Sequence, residues 1–588
     1  MRGIKDWRQA SEREKDGVAR TALLLCALGL AVLGLEWSIE WSSSRHSGPE
    51  ITHVQDLDVS PAEQAGAEAQ SYIVQAQSAA DADSIVRNAG GQVTDTLEII
   101  DGVAALLTDE QMKIVSGTEG VRLQADGVVR IATRDDDDED DDARKRRSHR
   151  IGVQSEPAEI VEAHRLHGEG FTGAGVTIAV LDTGISADRS VLLDTWGKRR
   201  VLAAFDTSNS RKRDKTAKRT RLKNVNDENG HGSHVSSLAA NSDLGSSGYY
   251  NGVAPDAGLV VVRAFNRKGE ANYASVIRGI ETVIKHRKKF DIRVLNVSFS
   301  TKVRSHYWDD PINQALMKAW RAGIVVVASA GNKGPDPMTV GVPGNLPYII
   351  TVGATTDNET PGDTSDDVVA EFSASGPTAE GFIKPDLLAP GVHLAGVVKE
   401  RNAKAKGLSK RGERYYTMSG TSQATAVVSG VVAMVLQSEP WLKPDQVKCK
   451  LMSTAQPVVA SDGQFAFSPL RQGAGMVNAY SAVYGSDYDC ANRGLNIKRD
   501  MAGKEHYGSR AGEIVASHAM SDSYLWSDSY LWSDSYLWSD SYLWSDSYLW
   551  SDSYLWSDSY LWSDSHRWSK KALNKRVGIA GWEDEPVE

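Results

Sequence analysis

Apolar runs and helix-spaced apolar positions alternate along two stretches of the chain. In the first, residues 71–133, Tyr72–Val74 predicts a strand and Ala80–Ala89 a helix ended by Gly90 and Gly91. Val93–Ile100 and Val103–Leu107 predict two strands, Asp109–Val115 a second helix, and Val121–Ile131 a closing strand. That order, β-α-β-β-α-β, is the ferredoxin-like one, so a small α+β unit is expected here. In the second stretch, from Gly175 onward, the runs Val176–Leu181, Leu259–Val262, Ile292–Val297, Ile324–Ala328 and Ile349–Val352 alternate with helix-periodic segments, which predicts a parallel sheet covered by helices. Ile277, Ile280, Val283 and Ile284 repeat at helical spacing; Asp310 and Pro311 open a further helix that Gly323 closes.

At 588 residues the chain exceeds one ordinary core. Its net charge of −11 argues against nucleic acid as a general partner, although the charge is unevenly spread. Residues 21–35 are uncharged and follow Arg13, Lys15 and Arg20, so residues 1–40 read as an export signal. The run is shorter than the roughly 20 residues of a spanning helix, but it lacks a clean small-residue cleavage site and Trp37 and Trp41 follow it, which leaves a retained membrane anchor open. Asp135–Asp142 and Arg144–Arg147 are like-charge blocks that repel and stay solvated, making residues 134–150 a linker. Proteolytic nicking concentrates in such segments, so a maturation cut is expected between about residues 130 and 150. The basic stretch from Lys198 to Lys223 reads as a solvated loop, with pairing to the acidic linker as the sharper alternative. Cys449 and Cys490 are either one disulfide or two unrelated buried thiols; Cys26 lies in the apolar run.

Residues 521–568 repeat Ser-Asp-Ser-Tyr-Leu-Trp with a period of six, degenerating at His566–Trp568 before a tail over 569–588. An extended strand would put Asp, Tyr and Trp on one face. The array is a spacer or a strand returning to the main domain, or else an aromatic row that stacks on glycans or partner surfaces.

Three segments carry chemistry: Val180–Gly184 with Asp182, Asn229–His234 with His231, and Ser419–Ser422 with Ser422. A serine hydroxyl is a weak nucleophile at neutral pH; it needs an imidazole to take its proton and a buried carboxylate to hold that imidazole's tautomer. Asp182 ends an apolar run at the edge where parallel sheets place their sites. His231 opens a helical pattern continued by Val235, Leu238 and Ala239. His234, three positions on, suggests a metal pair, but the glutamate and third ligand of a metalloprotease are missing. Ser422 starts a helix-like run, Thr421–Leu436, whose N-terminal N–H groups would face an oxyanion.

The order Asp, His, Ser, together with Gly252–Pro255, Ser329–Asn332, Val352–Ala354, Phe372–Ser373, Lys384–Asp386, Ala389–Gly391 and Gly473–Gly475, resembles the subtilisin-like serine protease (subtilase) family over about residues 150–482. The resemblance implies an α/β fold: a three-layer, parallel-sheet catalytic domain over 151–482, preceded by an inhibitory propeptide over 71–133; the hexapeptide-repeat tail, read from its own period, follows it. It makes Asn332 the second oxyanion donor beside Asp182, His231 and Ser422. It implies no cofactor for catalysis; structural calcium is common in the family, but no ligand set here is clear enough to name. Gln423 stands where the family usually has methionine, Thr425–Val427 replaces the usual stretch, and the Ser298–Phe299–Ser300 segment, aligned with the substrate-pairing strand, has serine where a glycine is common, which leaves the primary specificity pocket open.

The expected function is an exported or envelope serine endopeptidase, made as a self-processed zymogen, acting on polypeptides and inhibited by its own propeptide. The alternative is a catalytically silent binding protein using the aromatic repeats, which would have no physical reason to keep Asp182, His231, Asn332 and Ser422 together. A convertase that cuts basic sites would need an acidic substrate pocket.

Overall fold

The computed structural model describes residues 69–132, 157–208, 225–245, 247–356, 367–399, 402, 410–411, 414–459, 465–508 and 566–568. All of them belong to one compact unit, Ala67–Glu588. The apolar run at 21–35, the charged linker, most of the hexapeptide array and the tail after 568 lie outside them. Among the described residues no helix is long and apolar enough to cross a membrane.

The N-terminal elements are β1 (Gln70–Gln75), α1 (Ala79–Asn88), β2 (Gln92–Leu97), β3 (Gly102–Leu107), α2 (Asp109–Ser116) and β4 (Arg122–Ala125). They form an antiparallel sheet in the order β2-β3-β1-β4, the ferredoxin-like arrangement. Local chemistry agrees with these boundaries. Ser78 caps α1 through Asp81 N–H, and Thr108 and Gln111 form a reciprocal capping box on α2. The expected single strand Val121–Ile131 is instead two, β4 and β5 (Val128–Ile131), because Asp126 between them is anchored elsewhere. Its carboxylate accepts Ala274 N–H at 2.9 Å and the Asn272 amide at 2.6 Å.

The larger part carries β6 (Thr177–Asp182), β7 (Val201–Asp206), α3 (His231–Ala240), β8 (Gly258–Arg263), β9 (Glu270–Asn272), α4 (Tyr273–Phe290), β10 (Ile292–Val297), β11 (Phe299–Ser300), α5 (Pro311–Arg321), β12 (Val325–Ser329), β13 (Ile350–Thr356), β14 (Val368–Val369), β15 (Leu387–Pro390), β16 (Leu394–Val397), β17 (Lys410–Arg411), β18 (Tyr415–Met418), α6 (Thr421–Ser438) and α7 (Pro444–Ser453). The main sheet runs β14-β13-β12-β10-β6-β8-β7, with β15 also on β13. All its pairs are parallel except the edge pair β13–β14. Its interior strands are buried at nearly every position, as expected of a sheet covered on both faces. Leu181 of β6 packs on Gly279 of α4. Asn296, which registers with Val180 and so faces the other way, accepts a hydrogen bond from Ser429 of α6 at 2.9 Å. Helices therefore lie on opposite faces, in three layers.

Arg200 departs from the expected solvated basic loop. It is buried, its guanidinium donating to the carbonyls of Ser190, Leu193 and Ala240, and burial pulls its pKa down to about 10. Three carbonyls replace the water that a charged group would otherwise keep. Cys449 and Cys490 are joined in a disulfide with Cα atoms 5.2 Å apart. Of the repeat region, His566–Trp568 (β20) pairs antiparallel with His506–Gly508 (β19).

Candidate active site

Adjacent parallel strands deliver three of the relevant segments to one edge of the sheet. Asp182 is the last residue of β6, Ser298 follows β10, and Ala330–Asn332 follows β12. This carboxyl edge is where open α/β sheets build their sites, since the chain leaves each strand there in loops. Two helices begin beside it, α3 with His231 and α6 with Thr421–Ser422, and they pack on each other.

Asp182 and His231 are directly bonded, Nδ1 to Oδ1 at 2.8 Å, with both side chains almost fully buried. Asp182 Oδ1 also accepts the Thr183 N–H at 2.7 Å. A carboxylate on Nδ1 keeps the ring proton there and leaves Nε2 as an acceptor. Nε2 is buried and has no hydrogen-bond partner in the protein.

The loop before His231 is held by Asp227, which the sequence reading passed over. Asp227 Oδ1 accepts from Thr183 Oγ1 (2.9 Å), Asn229 N–H (3.0 Å) and Gly230 N–H (2.7 Å); Oδ2 accepts from Ser233 N–H (2.8 Å) and Ser233 Oγ (2.6 Å). Thr183 Oγ1 in turn accepts Gly232 N–H at 2.8 Å. One buried carboxylate thus ties the residue after Asp182 to the first turn of the histidine helix. The only local signal was an aspartate two and three residues before the N–H groups it caps, an Asx-turn pattern. His234 is tied to structure instead: its Nε2 lies 3.0 Å from Leu394 O and 3.2 Å from Tyr416 O, joining α3 to the antiparallel pair β16–β18. Among the described residues no group of three or more His, Cys, Asp or Glu is placed to hold a metal ion.

At the other helix, Asn332 Oδ1 accepts both the N–H (3.0 Å) and the hydroxyl (2.8 Å) of Thr421. That fixes the amide orientation and turns Nδ2, buried and without a partner, into the site. The next residue, Ser422, has a first-turn N–H that no carbonyl within the helix can reach. Its hydroxyl donates to Ser298 O at 2.9 Å, while Ser298 Oγ donates back to Ser422 O at 3.1 Å. Gly420, before the helix, has φ +152°; a Cβ there would lie 2.5 Å from Ala132 O and 3.1 Å from Asn332 Nδ2. A side chain at 420 would therefore exclude whatever backbone lies across the site.

That backbone is strand β5. It lies antiparallel between β11 and β9, pairing Phe299 with Ile131 and Ser300 with Arg130 on one side, and Val128, Val129 and Arg130 with Asn272, Ala271 and Glu270 on the other. Ala132 then donates its N–H to Ser298 O at 3.2 Å. Val129 is fully buried, and Arg130 meets Glu270 at 3.3 Å on the exposed rim.

The subtilase family model matches residues 173–475. Among curated relatives, serine protease AprX of Bacillus subtilis is 37% identical over 326 residues, covering 54% of this chain and 68% of that protein. Subtilisin DY of Bacillus licheniformis is 30% identical over 298 residues, covering 50% of this chain and 89% of that protein. Among solved structures, fervidolysin from Fervidobacterium pennivorans, described as a keratinolytic enzyme related to subtilisin, superposes with a TM-score of 0.52 at 22% identity, covering 73% of this chain and 63% of that one, a likeness of fold. With the family model spanning more than half of the sequence and the site at the carboxyl edge of the same sheet, the chain belongs to the subtilase family of serine-type endopeptidases.

Proposed function

We propose that the protein is an exported serine endopeptidase made as a zymogen that cuts itself after Ala132. The observation carrying this reading is the position of β5. The C-terminal end of the N-terminal unit lies as a third strand in the cleft, and Ala132 ends on the same Ser298 carbonyl that accepts the Ser422 hydroxyl. A substrate strand bound by its backbone would lie the same way. The Ala132–Thr133 bond falls inside the 130–150 window expected for maturation.

In this mechanism the Ser422 hydroxyl leaves Ser298 O for His231 Nε2, gives up its proton there and attacks the peptide carbonyl. Asp182 holds the ring and balances the imidazolium. The oxyanion takes the Ser422 N–H and Asn332 Nδ2. His231 returns the proton to the leaving amine, and water, activated by the same histidine, hydrolyses the acyl-enzyme. No cofactor takes part. The N-terminal unit, residues 71–133, acts as propeptide and inhibitor, and polypeptides are the substrates. Export is supported by the apolar run at 21–35 and by the Cys449–Cys490 disulfide, since disulfides persist in oxidising compartments.

The test is intact mass and N-terminal mapping of the purified protein beside its Ser422→Ala variant, both made in an exporting host. The parent is expected to begin at Thr133 and the variant to stay long. Identical N-termini in the two would remove self-processing by Ser422.

A further inference from the structure

The strand laid in the cleft ends in a methyl side chain, and the wall beside it explains why. On an antiparallel pair, directly opposed residues share a face and residues two apart share it too. The pair Ser300–Arg130 therefore puts Ala132 on the face of the added strand that Ser300 shares. Ser300 projects into a space bounded by two glycines. Its Oγ and Cβ lie 2.9 Å and 3.5 Å from where a Cβ on Gly331 would be, and its Oγ is closer still to that of one on Gly341. Both glycines are fixed in place. Gly331 N–H donates to Thr421 Oγ1 at 3.2 Å, and Gly341 N–H donates to Ala330 O at 3.1 Å. Neighbouring Thr301 and Val342 exchange N–H bonds at 3.0 and 2.9 Å, which locks the Ser300 segment against the Gly341 segment. Gly331 immediately precedes Asn332, so this space opens beside the proposed oxyanion donors.

We infer that Ser300 sets the size of the residue on the acyl side of the cleaved bond, limiting it to alanine-sized side chains, because its hydroxymethyl group fills the space between Gly331 and Gly341 that a larger side chain would enter. The inference rests on the proposed cut after Ala132 and deepens it: the substrate class is polypeptide with a small residue before the scissile bond. A glycine at 300 would leave the two glycine walls facing an open pocket, which apolar side chains would fill favourably.

The test uses the full chain as its own substrate. Ala132→Phe is expected to slow self-cleavage at residue 132 at least about tenfold, the scale on which misfit in an apolar pocket discriminates. Adding Ser300→Gly to Ala132→Phe is expected to restore cleavage to within about threefold of the parent. Circular dichroism and thermal melting of the single variant Ser300→Gly check that the glycine chain folds. In parallel, the trimmed parent and trimmed Ser300→Gly enzymes are given peptide amides ending Val-Arg-Ile-Ala and Val-Arg-Ile-Phe. The parent should favour Ala by about tenfold or more in kcat/KM, and Ser300→Gly should reverse that preference. An Ala132→Phe chain trimmed at the parent rate, or an Ala-to-Phe ratio that does not respond to residue 300, overturns the role of Ser300 while leaving the protease intact. A parent that is not trimmed, or a Ser422→Ala chain that is, overturns the underlying self-processing reading and this inference with it.

Discussion

The carbonyl oxygen of Ser298 accepts two hydrogen bonds, from Ala132 N–H at 3.2 Å and from Ser422 Oγ at 2.9 Å. One backbone atom thereby places the end of the N-terminal strand against the serine proposed to cut it. A Cβ on Gly420 would touch both Ala132 O and Asn332 Nδ2, so the strand ends beside that amide; Asn332 Nδ2 and His231 Nε2 are both buried without a protein partner. Such atoms are costly to leave unpaired in a folded protein, and at functional sites they mark groups whose partner arrives with the reaction.

Asn332→Ala tests the oxyanion role. In subtilisin, losing one such donor costs about 2.7–4 kcal/mol in kcat, roughly 10²–10³-fold. The same loss is expected here with KM moving only a few-fold, since the interaction would form only in the transition state. Steady-state kinetics on a peptide amide decides it. A comparable rise in KM at unchanged kcat would make Asn332 a substrate-binding residue instead.

Asp227 accepts five hydrogen bonds while fully buried, so removing it strands donors on both Thr183 and the first turn of α3. Unsatisfied buried donors cost about 1–3 kcal/mol each, and Asp227→Ala is expected to destabilise the chain by at least about 3 kcal/mol. Thermal melting in a Ser422→Ala background, which removes the proposed nucleophile, should show a fall of roughly 3–4 °C or more. A shift within about 1 °C would show that water or a rearranged loop takes over these donors.

The Cys449–Cys490 bond closes a loop of sequence separation 41 between α7 and the segment before β19. Chain-entropy arguments give about 4 kcal/mol for a loop of that length. Cys449→Ser with Cys490→Ser is expected to lower the melting temperature, with activity per folded molecule unchanged because the site lies on other elements. Unchanged melting would mean that packing around Ala491 and the buried Lys448 already holds this region.

The strands of the main sheet were legible because each is an uninterrupted apolar run, and that pattern depends only on burial by both covering layers. Asp182, His231, Asn332 and Ser422, the proposed catalytic residues, could be singled out because each sits in a short segment with a characteristic neighbourhood. β7 was hidden among arginines and lysines, and Arg200 gave no local sign that three carbonyls would bury it. The break at Asp126, the pairing of β5 with Phe299–Ser300 and the bond from Thr183 to Asp227 arise from partners 44 to 173 residues away. Periodicity along the chain does not encode such contacts. Ser300 lies between these cases: its identity was visible as a departure, but its meaning needed Gly331 and Gly341 beside it.

The interface between the N-terminal unit and α4 carries a pH dependence with a definite sign. Glu281 on α4 faces Glu98 and Asp95 from the N-terminal unit, and Lys285 on its own helix; Asp95 also meets Arg278 of α4. Burial first, then Glu98 and Asp95, push the Glu281 carboxyl up to about 7, with the Ile99 N–H and Lys285 pulling the other way. Once the N-terminal unit leaves, Glu281 regains water and the ordinary carboxylate range near 4.5. Its pKa is thus raised in the complex, so the stabilisation is fully present below about pH 4.5 and is lost as pH rises through about 7. Burial raises the Asp95 and Asp126 carboxyls as well, which adds loss of the same sign from a lower pH. After the proposed self-cleavage, the fragment ending at Ala132 should therefore stay bound at pH 5 and separate more readily at pH 8. Size-exclusion chromatography of the cleaved protein at the two pH values measures the fraction retained. Glu281→Gln, neutral throughout, should flatten the difference. Equal retention at both pH values, or an undiminished difference in Glu281→Gln, would place the control of release elsewhere in the interface.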